Sequence, residues 1–405
     1  MATPISELDL PTVDIEGLTD RSEIREAVEA ARRDHWLART LFGYMVLRHA
    51  DVVAILRDRR FHNAVSLLPK MAGVSDPDLM REDRPSILGA EGDEHARLRK
   101  LVSPAFTPRA ADRYRPFMRQ VIEELVDPVA PQGRAEFVAD VCEPYPIPII
   151  CELLGAPRED WKLFSGWATD IFRIFNGNIA EDLPLIKAAR AEINSYMTDL
   201  IERRRREPGP DLLTDLIAME EQGDRLSHEE LLMMSEAVLL AGTDTTRNQL
   251  GCAVALFTEY PEQWAMLAED PDLAPRAVEE VMRYLGAVRG TGRFASEDIE
   301  YRDVLFPRGT MLFPSFVSGN FDPEAFEDPG TFDITREPGT QHLTFGSGIH
   351  FCLGAWLARA ELQEALPILA RRMPNLRADG EIEWKPPSFG IWGPARLPVA
   401  FDPEV

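Results

Sequence analysis

One cysteine stands among glycines in the run Phe345-Gly346-Ser347-Gly348-Ile349-His350-Phe351-Cys352-Leu353-Gly354, directly ahead of the alanine-rich stretch AWLARAELQEALPILARR. Gly346, Gly348 and Gly354 permit backbone turns and close approaches that a side chain would block. A cysteine at the start of a helix meets unpaired N–H groups and the positive end of the helix dipole, and both favour the thiolate. A buried thiolate with N–H donors aimed at it is a soft metal ligand. Cys142, Cys151 and Cys252 lie in apolar stretches and form no CxxC pair, so they read as small core residues rather than a zinc or dithiol site.

Three further groupings have chemistry in their spacing. Ala241-Gly242-Thr243-Asp244-Thr245-Thr246 puts polar groups in an apolar helical run. Burying Asp244 and Thr245 costs roughly 1–3 kcal/mol each without partners, and Gly242 weakens a helix by about 1 kcal/mol relative to alanine. Three unfavourable choices together point to function. Glu280 and Arg283 have the spacing of a helical ion pair, with Glu279 as a neighbouring carboxylate at the wrong spacing. His95 and Arg99 share one helical face, where two donors suit a carboxylate.

The elements that must position these groups are mostly helical. Residues 21–34, 112–129 and 184–206 carry helix formers or helical apolar spacing, the last ended by Pro208 and Gly209. A longer pattern opens with Ser227 and Glu230, a capping box, and is apolar nearly all round, so it should cross the core. Strand signals are few: one within residues 43–56, two within 299–320 joined by the turn Pro307-Arg308-Gly309, and a pair around a loop in 382–401. There are no repeats and no linker. The expectation is one mainly helical domain, residues 1–405, with minor β-sheets.

The cysteine loop, F-x-x-G-x-x-x-C-x-G, resembles the haem-ligand signature of the cytochrome P450 family. The remaining motifs match that family in the same order. AGTDTT is similar to its oxygen-binding groove, Glu280–Arg283 to its ExxR pair, and His95–Arg99 to a propionate-holding pair. The stretch FDPEAFEDPGTFDITRE resembles the meander before the cysteine loop, and the likeness runs from about residue 40 to the end. The resemblance implies a helical triangular prism with haem b between the long helix and the cysteine-bearing helix. It implies Cys352 as the axial iron ligand, a ligand type that promotes O–O cleavage. It implies haem contacts from His95, Arg99, Ala241, Arg293, Phe345, His350 and Gly354. Asp244 and Thr245 become the catalytic acid–alcohol pair that relays protons to dioxygen, and Glu280 and Arg283 a structural lock. Ala287 departs from a common proline, and Ser347 holds a position often taken by histidine or another polar donor.

Family placement also puts Ile87, Leu88, Val238, Ala241, Val288, Arg289, Phe389 and Ile391 around a mostly apolar substrate pocket. Arg289 either points to solvent or pairs with an anionic substrate group. The implied activity is monooxygenation of a C–H bond of an apolar small molecule. NAD(P)H would enter indirectly, because no flavin or nucleotide motif appears and no reductase domain fits in the chain. Electrons must then come from a separate [2Fe–2S] or similar ferredoxin with its reductase. Direct peroxide use, an oxygen-free isomerisation and a non-enzymatic haem protein are the alternatives.

The formal charge of −24 disfavours nucleic acid and anionic membranes as partners. An acidic ferredoxin therefore needs a local basic patch, for which Arg97, Lys100, Arg109, Arg113 and Arg359 are the candidates. No run approaches the roughly 18–20 apolar residues of a membrane span, and the acidic, proline-broken N-terminus lacks a secretion signal. A cytoplasmic monomer is expected.

Overall fold

A computed structural model describes residues 2–14, 21–41, 43–71, 73–74, 76, 86–175, 179–221, 226–385 and 391–404. The helices that build the site are α1 (Arg21–Asp34), α2 (Gly92–Val102), α3 (Pro108–Asp112), α4 (Arg115–Val126), α5 (Pro146–Leu154), α6 (Trp161–Phe172), α7 (Ile179–Arg206), α8 (His228–Glu259), α9 (Ala274–Tyr284) and α10 (Ala355–Arg372). The long helix α8 starts at the expected capping box: the Glu230 N–H donates to Ser227 Oγ at 3.2 Å, and the Ser227 N–H donates to Glu230 Oε2 at 2.8 Å. From Leu250 to Phe257 every residue of α8 is buried, which explains why its apolar pattern has no polar face. α5, α6, α7 and α10 pack around it in one continuous core. α7 begins at Ile179 and carries Pro184 inside it, so the proline lies near the helix start without opening it.

The strands form small sheets to one side. β1 (Leu37–Thr40), β2 (Gly43–Val46), β3 (Phe61–Asn63), β4 (Arg293–Ala295), β5 (Ile299–Tyr301), β6 (Val304–Phe306) and β7 (Met311–Pro314) include a five-stranded sheet of order β1-β2-β7-β4-β3. β3 runs antiparallel to β4 with Asn63 opposite Arg293, and this fixes where Arg293 enters the interior. The expected Pro307-Arg308-Gly309 hairpin is a correction. β6 pairs with β5, and β7 belongs to the other sheet. The hairpin turn is Arg302-Asp303, with φ of 50° and 59°. Both residues adopt the left-handed region a two-residue hairpin demands, but neither is the glycine or asparagine that would have announced it. In the C-terminal segment, Glu383–Trp384 pairs with Pro394–Arg396, as the strand-loop-strand pattern suggests. Pro398–Ala400 joins Arg134–Glu136 and Arg377–Ala378 instead.

Candidate active site

Cys352 sits between a tight turn at Gly348–His350 and the first turn of α10. Its N–H donates to the Phe345 carbonyl at 2.9 Å, closing the loop on itself. Gly348, with φ of 73°, is required: a Cβ there would stand 2.2 Å from the Leu56 carbonyl oxygen. Burial pushes the Cys352 thiol up, while the Gly354 N–H and the Arg99 and Arg359 guanidiniums pull it back towards the thiolate. At Gly354 a Cβ would meet nothing within 4 Å. Protein packing therefore does not explain this glycine, and open space lies beside it. The other cysteines, Cys142, Cys151 and Cys252, are fully buried with raised thiols, as core residues.

Basic groups converge near this loop. Arg99 donates to the Phe351 carbonyl at 2.6 Å. His95 and His350 stand ring to ring at 4.5 Å. Among the described residues Arg293 donates to Thr291 Oγ1 at 3.1 Å and to the Gly292 carbonyl at 2.9 Å. Burial lowers the pKa of Arg99, takes Arg293 to about 10, and takes His95, beside His350 and Arg99, to about 4. Among the described residues none of these three has a carboxylate in ion-pair contact. With its pKa so low His95 is a neutral donor, but the buried Arg293 and half-buried Arg99 guanidiniums are cations, costly without an anion unless a ligand supplies the charge. Glu91, which the sequence did not mark, threads the cluster by accepting the Asn63 N–H at 2.7 Å and facing His350 Nε2 at 3.2 Å. Burial opposes its ionisation, but these bonds hold its carboxyl below the ordinary range.

The Ala241–Thr246 stretch lies inside α8. Ala241 is exposed between the buried Leu240 and the buried Thr243 and Asp244, so the helix borders open space there. Gly242 has a packing reason: its Cβ would come within 2.2 Å of Ile150 Cδ1 on α5. The Thr245 hydroxyl donates to the Ala241 carbonyl at 2.7 Å. Asp244 pairs with Arg247, whose Nε donates at 2.6 Å and whose Nη2 also reaches Thr169 on α6. Next to them, Thr246 donates to Glu361 Oε2 at 3.1 Å, while Glu361 Oε1 has no partner among the described residues. Burial raises the Glu361 carboxyl to about 8, against the pull of that bond. Nothing in the spacing of α10 distinguished Glu361 from Glu364, which is half-buried and paired with Arg115 and Arg119.

The Glu280–Arg283 pair is a buried lock, with contacts at 2.7 and 2.8 Å. Arg283 also donates to the Asn320, Pro329 and Thr331 carbonyls, and Glu280 takes Arg336 Nε and the Asp333 N–H. α9 is thereby fixed to the segment leading into the cysteine loop. Two members of the expected basic patch are corrected. Arg97 pairs with Glu230 at the start of α8, and Arg359 is bidentate to Glu279, so their charges are already compensated. Lys100, Arg109 and Arg113 remain exposed. Ser347 accepts from Arg57 Nε at 3.0 Å, a polar role at that position.

Around the proposed pocket, Val288 bridges Ile391 in antiparallel register, and both are half-buried. Ile87 is half-buried, Leu88 exposed and Val238 buried, while Phe389 lies outside the described residues. Arg289 follows Val288 in this bridge and is half-buried. Its guanidinium lies 4.8 Å above Trp392, and burial takes its pKa to about 10. Among the described residues no helix is long and apolar enough to cross a membrane.

A thiol at a helix N-terminus, the Arg99 and Arg293 guanidiniums with no ion-pair partner among the described residues, and open space by Gly354 and Ala241 form a donor set that fits haem with its two propionates. A sequence model described as "Cytochrome P450" matches residues 159–373. The nocardicin C N-oxygenase of Nocardia uniformis subsp. tsuyamanensis is 38% identical over 88% of this chain and 89% of its own length. The luteothin monooxygenase of Streptomyces thioluteus is 35% identical over 98% of each. The crystal structure of CalO2 superposes with a TM-score of 0.90 at 31% identity, over 97% of this chain and 100% of that one.

Proposed function

The chain belongs to the cytochrome P450 family and is a monooxygenase, and from that premise we propose that it oxygenates a C–H bond of an apolar small molecule with electrons from a separate ferredoxin and its reductase. The observation that carries this reading is Cys352 at the head of α10 with buried His95 and Arg293 and half-buried Arg99 near it, none in ion-pair contact with a carboxylate among the described residues. Haem, when bound, supplies dioxygen activation and the oxidising chemistry.

The protein's own part is division of labour. Cys352 ligates the iron. Arg99, Arg293, His95 and His350 take the propionates, with Glu91 holding His350 in register. The wall formed by Val288, Ile391, Ile87 and Val238 excludes water and favours an apolar substrate. The Thr245 hydroxyl, rotated off the Ala241 carbonyl, would deliver a proton into the groove, and Asp244, after leaving Arg247 and taking a proton from solvent, would re-supply it. Arg289 follows Val288 in that wall and lies over Trp392. The cytoplasmic, monomeric state of the enzyme belongs to the same reading.

The test is a pair of measurements on purified, haem-loaded protein with a general ferredoxin and reductase: oxygen and NAD(P)H consumption, and product from a library of apolar compounds ranked by their spectral shifts. Substrate-dependent oxygen uptake with hydroxylated product is expected. A second reading, direct use of peroxide, draws on one observation: Asp244 is tied to Arg247 rather than to Thr245. Turnover supported by peroxide but not by the redox chain would favour it.

A further inference from the structure

Trp384 and Trp392 stack face to face, with ring centroids 4.4 Å apart and planes 9° from parallel. Trp392 is buried and held at two points. Its backbone N–H donates to the Ala287 carbonyl at 2.8 Å, and its indole N–H donates to the Lys385 carbonyl at 2.8 Å. Each ring carries an arginine. The Arg21 guanidinium lies 4.8 Å over Trp384 and pairs with Glu259 at the end of α8. The Arg289 guanidinium lies 4.8 Å over Trp392, but its side chain makes no ion pair or hydrogen bond among the described residues. One stacked cation is neutralised and the other is not.

Arg289 nevertheless sits deep in the fold. Burial lowers its pKa to about 10, and the neighbours that bear on its charge are Cys252 and Arg21, neither of them a carboxylate. It still keeps accessible surface, and none of its nitrogens is a sealed atom without a partner. A side chain this deep that remains accessible borders open interior space. Its backbone is fixed: the Arg289 carbonyl accepts the Phe316 N–H at 2.9 Å, and a Cβ at Gly290 would stand 2.4 Å from Phe313 Cζ on β7. The wall residues Val288 and Ile391 directly precede Arg289 and Trp392 in the chain.

Keeping a cation in such a place without an anion is costly. Stacking on Trp392 satisfies only the face of the guanidinium. Its N–H groups lie in the plane, in the fork that matches a carboxylate. The cations near the cysteine loop form a separate group. Glu91 bears on the charge of Arg293 and Cys352 on that of Arg99, while neither bears on Arg289. Propionates held by Arg99 and Arg293 therefore leave Arg289 free.

We propose that Arg289 is the anion anchor of the substrate pocket and that the substrate is an apolar molecule carrying one carboxylate, gripped by the Arg289 fork while its apolar body lies along Val288 and Ile391. The inference rests on the reading above that an apolar molecule is oxygenated, and it narrows that reading to acids. Trp392 is a positioning residue that holds the plane of the guanidinium.

The experiment uses haem-loaded wild type, Arg289→Met and Arg289→Lys. Methionine keeps an unbranched apolar stem on Trp392 and removes the fork, whereas lysine keeps the charge without the fork. The probes are dodecanoic acid and phenylbutanoic acid, each beside its methyl ester. Affinities come from spectral titration and, independently, from calorimetry, and melting of the ligand-free proteins is followed in parallel. Wild type should bind at least one acid about tenfold or more tightly than its ester. Arg289→Met should lose that preference with ester affinity within about twofold of wild type, and Arg289→Lys should fall between the two. Ligand-free Arg289→Met should melt no lower than wild type, because it no longer buries an unpaired charge. An acid preference that survives in Arg289→Met overturns the anchor, and so does a wild type that binds the esters as tightly as the acids. Lower melting of Arg289→Met together with lost ester affinity also overturns it, since the arginine is then structural. In each of these cases oxygen uptake driven by a neutral compound leaves the monooxygenase reading standing. Absence of binding and of oxygen uptake with acids and esters alike counts against that reading as well.

Discussion

The Asp244 carboxylate is held by Arg247, one turn further along α8, and not by Thr245, whose hydroxyl donates to the Ala241 carbonyl at 2.7 Å. The acid and the alcohol of the relay are neighbours in sequence but face different partners. Proton delivery therefore requires two small rearrangements, one at each side chain. Replacing Thr245 by alanine removes the alcohol and leaves the Asp244–Arg247 pair intact. Product per NAD(P)H should fall several-fold and peroxide release should rise, with the carbon-monoxide spectrum unchanged. Asp244→Asn should instead slow turnover by about tenfold or more, in the range of a lost proton donor. Unaltered coupling in Thr245→Ala would remove the hydroxyl from the proton path.

Gly242 allows α5 to touch α8. Alanine there would bring its Cβ to 2.2 Å from Ile150 Cδ1. Gly242→Ala should destabilise the fold by about 1–3 kcal/mol, the usual cost of overpacking. Adding Ile150→Val removes the offending methyl and should recover a substantial part, so urea midpoints of the double-mutant cycle should show coupling of about 1 kcal/mol. Strict additivity would mean that the contact is relieved elsewhere.

The Glu280–Arg283 lock ties α9 to residues 320–336 through contacts that only a planar, five-donor group can make. Arg283→Lys should therefore behave as a loss and not as a conservative change. The expected cost is about 3–5 kcal/mol, typical of a broken buried pair, together with poor haem retention after gel filtration. Wild-type melting and retention in this variant would show that the charge alone suffices.

Legibility in the sequence followed a clear physical line. Groups whose chemistry forces a spacing were readable: the glycines around Cys352, the three-residue step of Glu280 and Arg283, and the capping box at Ser227. Residues that work through a single contact made across the fold were silent. Glu91 meets His350, and Glu361 meets Thr246, only after distant helices pack. Arg247 had the same spacing to Asp244 as any surface pair. The patch around Arg97 and Arg359 was overcounted because sequence reveals cations but not the carboxylates, Glu230 and Glu279, that neutralise them. The Arg302-Asp303 turn was missed because its two residues pay the cost of positive φ without the glycine that usually signals it.

Glu361 gives a pH dependence with a definite sign. Its folded carboxyl is raised from 4.5 to about 8 by burial, so the native state holds a proton that the unfolded chain releases across that interval. Stability must then fall as pH rises from about 4.5 to about 8. Glu361→Gln cannot lose the proton and should lack this slope. The difference between wild type and variant should change by about 2–4 kcal/mol across the interval, read from urea midpoints at each pH. Parallel curves would place the carboxylate in a solvated or paired state.

The central claim is that Cys352 ligates the haem iron. Haem reconstitution of wild type and Cys352→Ser, followed by reduction under carbon monoxide, tests it most directly. The wild type should give the red-shifted difference band of thiolate-ligated haem. Cys352→Ser should bind less haem and show the band at the shorter wavelength of an oxygen- or nitrogen-ligated iron. A thiolate-type band retained in Cys352→Ser would contradict the assignment of the ligand and everything built on it.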